Sequence, residues 1–265
     1  MDDTTNAHGV REDEFFLGPD NQTFATHHRA GGATFTIIVP PLFEEHARTR
    51  KVLVNIARTL AGAGIDCVRF DYPGTGLSAG TTEDLTLARA ADALRAAVAY
   101  CHQLGATRVD LLGFRFGGYL AVTLANSIAP SRLVLWEPIL DLAAYFDELL
   151  RVEMSNQMVS LGRVRRTREQ LVDLLRAGHG VLIDGNRVGP ALYREIAAAR
   201  RLDVGRFDDR VRLLLWDSKA LHDDARRAGL DSVLVDRVRF SWRHIRELEP
   251  RSDPLFLATL RAVAG

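Results

Sequence analysis

This sequence of 265 residues contains few cysteines and carries no net charge. Its two cysteines, Cys67 and Cys101, are too few to suggest a disulfide framework or a thiolate metal site, so each is expected to be a small buried residue. Thirty-four basic residues balance thirty-four acidic ones. The overall charge therefore gives no reason to expect nucleic acid or an anionic membrane as a partner, although local patches are compatible with this balance.

The sequence also lacks an apolar run of membrane-spanning length. Its start, Met1-Asp2-Asp3, has neither the basic region nor the apolar stretch of a signal peptide. No His-x-x-x-His spacing indicates a metal site, and we expect neither a metal nor another cofactor. With 47% hydrophobic and 26% charged residues, the chain is expected to be globular and cytoplasmic.

What the sequence does contain is an alternation of strand and helix patterns. Residues 14–17 and 23–28 indicate an opening antiparallel pair of strands. The alternation that follows predicts an α/β fold, with a mostly parallel sheet flanked by helices on both faces. The predicted strands are 34–39, 65–70, 108–113, 133–136, 211–216 and 233–240, and the predicted helices are 46–61, 84–104, 116–128, 223–228 and 254–263.

This alternation is interrupted after the sixth strand. Helical patterns cover 141–162, 168–177 and 191–202, and the short apolar run Val181-Leu182-Ile183 enters a tight turn. We expect a helical cap inserted here, lying above the sheet. The hydrolase-like core would then comprise residues 1–140 and 209–265, and the cap residues 141–208.

The segment Gly113-Phe114-Arg115-Phe116-Gly117-Gly118 has the frame of a nucleophile elbow, with arginine in the place of the nucleophile. An elbow is a sharp strand-to-helix turn that raises one side chain to the rim of a parallel sheet, and glycines permit the bend. A guanidinium stays protonated, so Arg115 is able to bind or neutralise an anion but not to attack a carbonyl. The alternative is an ordinary strand-to-helix turn with a solvated arginine.

The order of predicted elements resembles the α/β-hydrolase fold. Two antiparallel strands lead, an elbow follows the fifth strand, a cap follows the sixth, and late strands carry an acid and a histidine. Asp71-Tyr72-Pro73-Gly74-Thr75-Gly76-Leu77-Ser78 looks like the loop after the fourth strand in that superfamily. The resemblance covers most of the chain and implies a hydrolase scaffold.

Several short segments also resemble the family called exosortase A system-associated hydrolase 2. They are Pro40-Pro41-Leu42-Phe43-Glu44-Glu45 with Arg50 shortly after, the Arg115 elbow, Trp136-Glu137-Pro138, and the stretch from Val181 to Leu192. That family is named a hydrolase by its fold, and the resemblance implies that arginine at the elbow is shared with it.

Two literal motif matches in the loop at 71–80 lack the helix that each motif requires directly after it. Gly76-Leu77-Ser78-Ala79-Gly80 satisfies the serine-hydrolase pattern, but no helix begins at Ser78, so a nucleophile is not expected there. Gly74-Thr75-Gly76-Leu77-Ser78-Ala79 fits a dinucleotide fingerprint, yet the next predicted helix starts too late to hold a pyrophosphate.

Asp217, His244 and Glu137 are candidate partners in a catalytic site. Asp217 follows the strand predicted at 211–216, where the acid of a hydrolase triad commonly stands, and helix N-capping is its alternative role. His244 follows the last predicted strand but lacks a glycine-rich turn. Glu137 ends the sixth strand and is an alternative acid, an arginine partner or a solvated loop carboxylate. An acid and a histidine without a nucleophile are still able to activate water.

Glu44 and Glu45 lie in the loop expected after the third strand, close to where Arg115 is expected to point. One hypothesis is an ion pair of Arg115 with Glu44, Glu45 or Glu137, because a buried charge left without its partner costs roughly 3–5 kcal/mol. The other is an anionic ligand. The helix after the elbow would direct its N-terminal amides and positive dipole end to the same place.

All three tryptophans fall at or near the carboxyl ends of the last three predicted strands, the edge where open α/β sheets bind ligands. With three phenylalanines they would form an apolar wall around one charged point, and the alternative is that they pack in the core beneath the cap. These residues are Trp136, Trp216, Trp242, Phe43, Phe114 and Phe116.

Three functions are compatible with these observations. The first is a hydrolase-fold protein without the serine nucleophile that binds a small anionic acyl or similar molecule at Arg115. The second is an active hydrolase of ester or acyl substrates that uses Asp217 and His244 with water, or an unidentified nucleophile. The third is a non-catalytic accessory or partner-binding protein.

Overall fold

The structure is a computed structural model that describes residues 9–18, 20, 22–238 and 253–264. Its strands are β1 (Arg11–Leu17), β2 (Thr23–Arg29), β3 (Thr34–Val39), β4 (Asp66–Phe70), β5 (Arg108–Phe114), β6 (Arg132–Trp136), β7 (Val181–Ile183), β8 (Asn186–Val188), β9 (Val211–Leu215) and β10 (Asp231–Leu234). Its helices are α1 (Phe43–Gly62), α2 (Leu87–Gln103), α3 (Phe116–Ile128), α4 (Leu142–Leu161), α5 (Arg168–Arg176), α6 (Pro190–Ala198), α7 (Lys219–Arg227) and α8 (Asp253–Ala264).

Eight of the strands form one sheet in the order β1-β2-β4-β3-β5-β6-β9-β10. β2 runs antiparallel to both β1 and β4, and the other neighbours are parallel. The predicted α/β class, with a mostly parallel sheet flanked by helices, is confirmed. Val39 pairs with Gly113, and Phe114 pairs with Trp136. The carboxyl ends of β3, β5 and β6 therefore meet at one edge of the sheet.

The sheet separates two apolar layers, because successive residues of a strand face opposite sides. Leu111 belongs to the layer that contains the buried faces of α2 and α3, whereas Leu112 belongs to the layer of α1 and α8. Both leucines are fully buried. This alternation fixes the register of the central strands, since a slip by one residue would exchange the two faces.

Three helices and the β7–β8 hairpin lie between β6 and β9, in the segment where the sequence predicted helices. Their buried residues join the layer of α2 and α3. The Tyr119 hydroxyl on α3 donates to the carbonyl of Arg200, and the amide of Leu202 donates to the carbonyl of Leu140. The division into a core of 1–140 and 209–265 and a cap of 141–208 stays a prediction.

Some predicted boundaries differ from the structure. α1 begins at Phe43, so Glu44 and Glu45 lie in its first turn and not in a loop, where their charge suits the positive end of the helix dipole. α7 begins at Lys219, which pairs with Asp223 one turn later. β10 is a short edge strand that ends at Leu234, whereas the sequence predicted a strand over 233–240.

Candidate functional site

Arg115 stands at a sharp turn between β5 and α3, with φ 53° and ψ −114°. This left-handed backbone conformation is uncommon for a residue with a side chain. Glycines surround it for steric reasons: a Cβ on Gly117 would lie 1.9 Å from the carbonyl oxygen of Val39, and one on Gly113 would lie 2.7 Å from the carbonyl oxygen of Gly117. The strand, tight turn and helix predicted for the elbow are therefore all present.

The guanidinium of Arg115 is bound by Glu45 from the first turn of α1. Arg115 Nε and Nη2 donate to Glu45 Oε1 at 3.2 and 3.1 Å. The Tyr145 hydroxyl on α4 donates to Glu45 Oε2 at 3.2 Å, and its ring centroid lies 5.7 Å from Arg115 Cζ. Glu148 Oε2 lies 3.9 Å from Arg115 Nη2. Both Arg115 and Glu45 are buried, so the pair is mostly shielded from water.

The other two carboxylates considered for Arg115 have different partners. Glu44 Oε2 lies 3.9 Å from Arg48 Nη2, which also donates to Asp184 Oδ2 at 3.3 Å. Glu137 is buried, and its Oε1 accepts the backbone N–H groups of residues 216, 217 and 218. Glu137 therefore organises the loop after β9 instead of pairing with the arginine.

Burial changes the acid–base properties of the groups around Arg115. It raises the pKa of Glu45, while the Arg115 guanidinium and the Tyr145 hydroxyl oppose that rise. Burial, together with the nearby Glu45, raises the pKa of Tyr145 well above its usual value. The tyrosine therefore keeps its proton and remains a hydrogen-bond donor to the carboxylate.

A cavity of about 310 Å³ lies beside this ion pair. The first turn of α1, one face of α4 and the residues Ile183 and Asp184 line it, and its apolar walls include Phe43 and Leu149. Phe43 and Asp184 have left-handed φ values of 52° and 45°. Such strained residues cluster at ligand sites in proteins, and here two of them line one cavity.

Searches of protein-family models and of curated proteins find no match to this sequence. Solved structures do match. Est1E from Butyrivibrio proteoclasticus has a TM-score of 0.59 at 19% identity, over 95% of this chain and 99% of that one. XC6422 from Xanthomonas campestris, described as an α/β serine hydrolase without lid, has a TM-score of 0.55 at 18% identity, over 96% and 94%.

A third structure, DcsB in complex with its substrate analogue, has a TM-score of 0.61 at 16% identity and covers 96% of this chain and 98% of that one. The strand order and elbow described above agree with these likenesses. The protein has an α/β-hydrolase fold. At such identities the likeness extends to the fold and not to the chemistry of the site.

In this hydrolase fold, the hydroxyl of Ser78, which belongs to the literal GxSxG match, is engaged in hydrogen bonds and is not placed to act as a nucleophile. Its Oγ donates to the carbonyl of Asp71 at 2.7 Å and accepts the N–H of Phe24 at 2.8 Å. The first contact lies within the loop after β4, and the second ties that loop to β2. These hydrogen bonds give Ser78 a structural role.

Asp217 lies two residues after the end of β9, and its backbone N–H donates to Glu137 Oε1. The N-cap of α7 is the next residue, Ser218, so Asp217 is not the capping residue. His244 and Trp242 lie outside the residues that the structure describes. The water-activating pair of Asp217 and His244 stays a prediction.

The aromatic residues expected around the charged group of Arg115 pack mainly in the core. Trp136 and Phe114 are fully buried, their ring centroids are 5.9 Å apart, and Trp136 Nε1 donates to Thr259 Oγ1 on α8. Trp216 packs against both rings, and Phe116 is buried against Tyr72 on the other side of the sheet. Among those of these aromatic residues that the structure describes, only Phe43 lines the cavity. Trp136, Phe114 and Phe116 follow the alternative, packing in the core.

α4 contributes to the site in a way that was not predicted from the sequence. Tyr145, Glu148, Leu149 and Val152 all line the cavity. Their spacing of three, four and seven residues places them on one helix face, and that periodicity was available from the sequence. What the periodicity does not reveal is which surface this face covers.

No helix in the described parts of the chain is both long and apolar enough to cross a membrane. Within the same residues, no group of three or more His, Cys, Asp or Glu side chains could hold a metal ion.

Proposed function

We propose that this hydrolase-fold protein binds a small acyl-type molecule beside Arg115 and forms no covalent acyl-serine intermediate. One observation carries the proposal. The elbow residue is an arginine that holds the elbow backbone geometry while its guanidinium is bound by Glu45. An arginine has no nucleophilic atom to offer a carbonyl. The motif resemblance to exosortase A system-associated hydrolase 2 supports the same proposal.

The cavity is suited to a molecule of modest size. Its volume of about 310 Å³ is at the lower end of the range of ligand pockets, roughly 300–1,000 Å³. Leu42, Phe43 and Leu149 offer apolar contacts for an alkyl or acyl chain, whereas Glu45 and Asn156 offer hydrogen-bonding groups. A short acyl chain with a polar head matches both features.

The charges favour an uncharged head over the anionic one that the sequence suggested. Four carboxylates line the cavity, those of Glu44, Glu45, Glu148 and Asp184. Arg115 and Arg48 already pair with carboxylates of this set. An anion would have to displace Glu45 from Arg115 and leave that buried carboxylate without its partner, at a cost of several kcal/mol. We therefore propose a neutral acyl ester or amide as the ligand class.

Thermal shift measurements with monooctanoylglycerol and with octanoate test this proposal. The neutral compound is expected to raise the melting temperature of the wild type, and octanoate is not. In Glu45→Gln the arginine loses the carboxylate to which it hydrogen-bonds, so octanoate is expected to become a stabilising ligand. Glu169→Gln is the control: Glu169 is an exposed carboxylate near Arg168 and does not line the cavity, so this variant is expected to behave like the wild type.

Stabilisation of the wild type by octanoate that equals or exceeds that by monooctanoylglycerol would contradict the neutral ligand class and favour the anionic one. Absence of stabilisation by either compound, in the wild type and in Glu45→Gln, would contradict an acyl ligand altogether.

A further inference from the structure

The surface between α4 and α5 has an unusual composition. Residues 158–168, which we term the α4–α5 turn, read Met-Val-Ser-Leu-Gly-Arg-Val-Arg-Arg-Thr-Arg. Four arginines and no acidic residue occur in this stretch. The chain as a whole has no net charge, so the α4–α5 turn is a local basic patch.

Apolar side chains are exposed within the same turn. Met158 is 51% exposed, Val159 85% and Leu161 56%, and Val164 is also exposed. Single exposed apolar residues are common on protein surfaces, but several contiguous ones mark an interaction site. The helix ends at Gly162 with φ 67°, so the chain turns away directly after the apolar residues.

The turn is anchored to the rest of the protein. The buried Gln157 accepts the backbone N–H groups of Arg165 and Arg166 through its Oε1, at 2.8 and 2.9 Å. Gln157 in turn donates to Glu153 Oε1, whose other oxygen accepts the N–H of Asp184. The arginines therefore project from a fixed backbone next to the cavity wall.

Most of the positive charge of the turn faces solvent. Arg168 pairs with Asp147 at 2.6 Å. Arg163, Arg165 and Arg166 are exposed, and none of them has an ion pair with another residue that the structure describes. An exposed apolar helix end next to several arginines is the combination that inserts into the headgroup region of a bilayer.

We propose that the α4–α5 turn docks this protein on a bilayer that contains anionic phospholipid. The apolar side chains would enter the boundary between headgroups and acyl chains, and the arginines would contact lipid phosphates. The exposure of both its apolar and its basic side chains suits an anionic lipid surface better than it suits a protein groove. This proposal stands independently of the ligand proposed for the cavity.

The turn also continues the cavity-lining face of α4. Val152 and Ser155 line the cavity, and Val159 lies seven and four residues further on, which places it on the same helix face. A docked turn would therefore hold this end of α4, and with it the cavity, close to the membrane surface.

Sedimentation with phosphatidylcholine vesicles, with and without phosphatidylglycerol, tests the proposal on the full chain. We expect binding to the mixed vesicles that weakens as salt rises and little binding to pure phosphatidylcholine. Each arginine near an anionic surface strengthens binding about fivefold. The variant R163S/R165S/R166S is therefore expected to bind the mixed vesicles about 100-fold more weakly, and V159S/L161S at least about tenfold more weakly.

The matched control is R200S/R201S/R226S, which removes the same charge from exposed positions. The amide next to Arg201 bonds to Leu140, which places this region at the opposite end of α4, about 30 Å from the turn. The control is expected to bind like the wild type. Failure of the wild type to bind anionic vesicles, or equal binding by all variants, would overturn the proposal. A dimer lost in V159S/L161S, without vesicle binding, would identify a protein interface and overturn it as well.

Discussion

At the residue scale, Arg115 combines two features that each reduce the stability of the folded state. Its left-handed backbone conformation costs of order 1–3 kcal/mol, and its buried charge requires a partner. Backbone hydrogen bonds fix the conformation: its N–H donates to the carbonyl of Trp136, and its own carbonyl accepts the N–H of Ile139. Glu45 supplies the partner charge from α1. The backbone conformation is therefore held by the end of β6 and the residues after it, whereas the charge is compensated by α1.

The Arg115–Glu45 pair is expected to show strong energetic coupling. Glu45→Ala leaves the buried guanidinium without its main partner, and we expect a loss of about 3–5 kcal/mol in the free energy of unfolding. Arg115→Ala leaves the buried carboxylate and is expected to cost a similar amount. In the double variant no uncompensated charge remains, so its loss is expected to be well below the sum. Urea unfolding of the three variants measures this coupling.

Arg95→Ala is the control, because Arg95 pairs with Asp92 on the exposed face of α2. An exposed pair contributes about 0–1 kcal/mol, and this variant is expected to remain within that range. Additive losses in the Arg115 and Glu45 variants would show that the two charges are not coupled.

At the scale of elements, the elbow between β5 and α3 determines where Arg115 lies. Gly117 in the first turn of α3 touches the end of β3, since an added Cβ would overlap the carbonyl oxygen of Val39. The close approach of α3 to the sheet brings Arg115 to the same edge as the first turn of α1. The Arg115–Glu45 contact depends on this approach.

Gly117→Ala is expected to lower the free energy of unfolding by about 1–3 kcal/mol or more, because the backbone oxygen of Val39 cannot move away without distorting β3. Gly62→Ala is the matched control: the added Cβ meets no atom within 4 Å, and the substitution is expected to be neutral or to stabilise α1 by up to about 1 kcal/mol. Chemical denaturation measures both. A loss below about 1 kcal/mol in Gly117→Ala would contradict the tight elbow.

Element types were largely predictable from the sequence, and element contacts were not. Period-two and helical patterns predicted the central strands and helices to within a few residues. Glu45 was a candidate partner of Arg115 because it follows β3, whose carboxyl end lies beside the elbow. Tyr145 was not predicted, because its contact with Glu45 spans 100 residues along the chain and depends on how α4 packs. Similarly, Trp136 and Phe114 follow the pattern of a ligand edge, yet their rings turn into the layer of α1 and α8.

At the scale of the whole molecule, the protein has the sheet and the elbow of an α/β-hydrolase fold, and the elbow carries a charged, paired side chain. The sheet order, the elbow and the likeness to solved α/β-hydrolase structures are compatible with many chemistries. In the proposed function, the arginine at the elbow separates this protein from those that form acyl-serine intermediates. The proposed function therefore depends on the absence of a reactive serine anywhere in the chain.

Labelling with a fluorophosphonate probe, read by intact-protein mass spectrometry, tests that claim most directly. A known serine hydrolase in the same tube serves as the positive control. We predict that this protein remains unmodified while the control is labelled to completion, because neither Arg115 nor the hydrogen-bonded Ser78 provides an activated hydroxyl. Stoichiometric modification at any serine, Ser78 included, would contradict the proposed function.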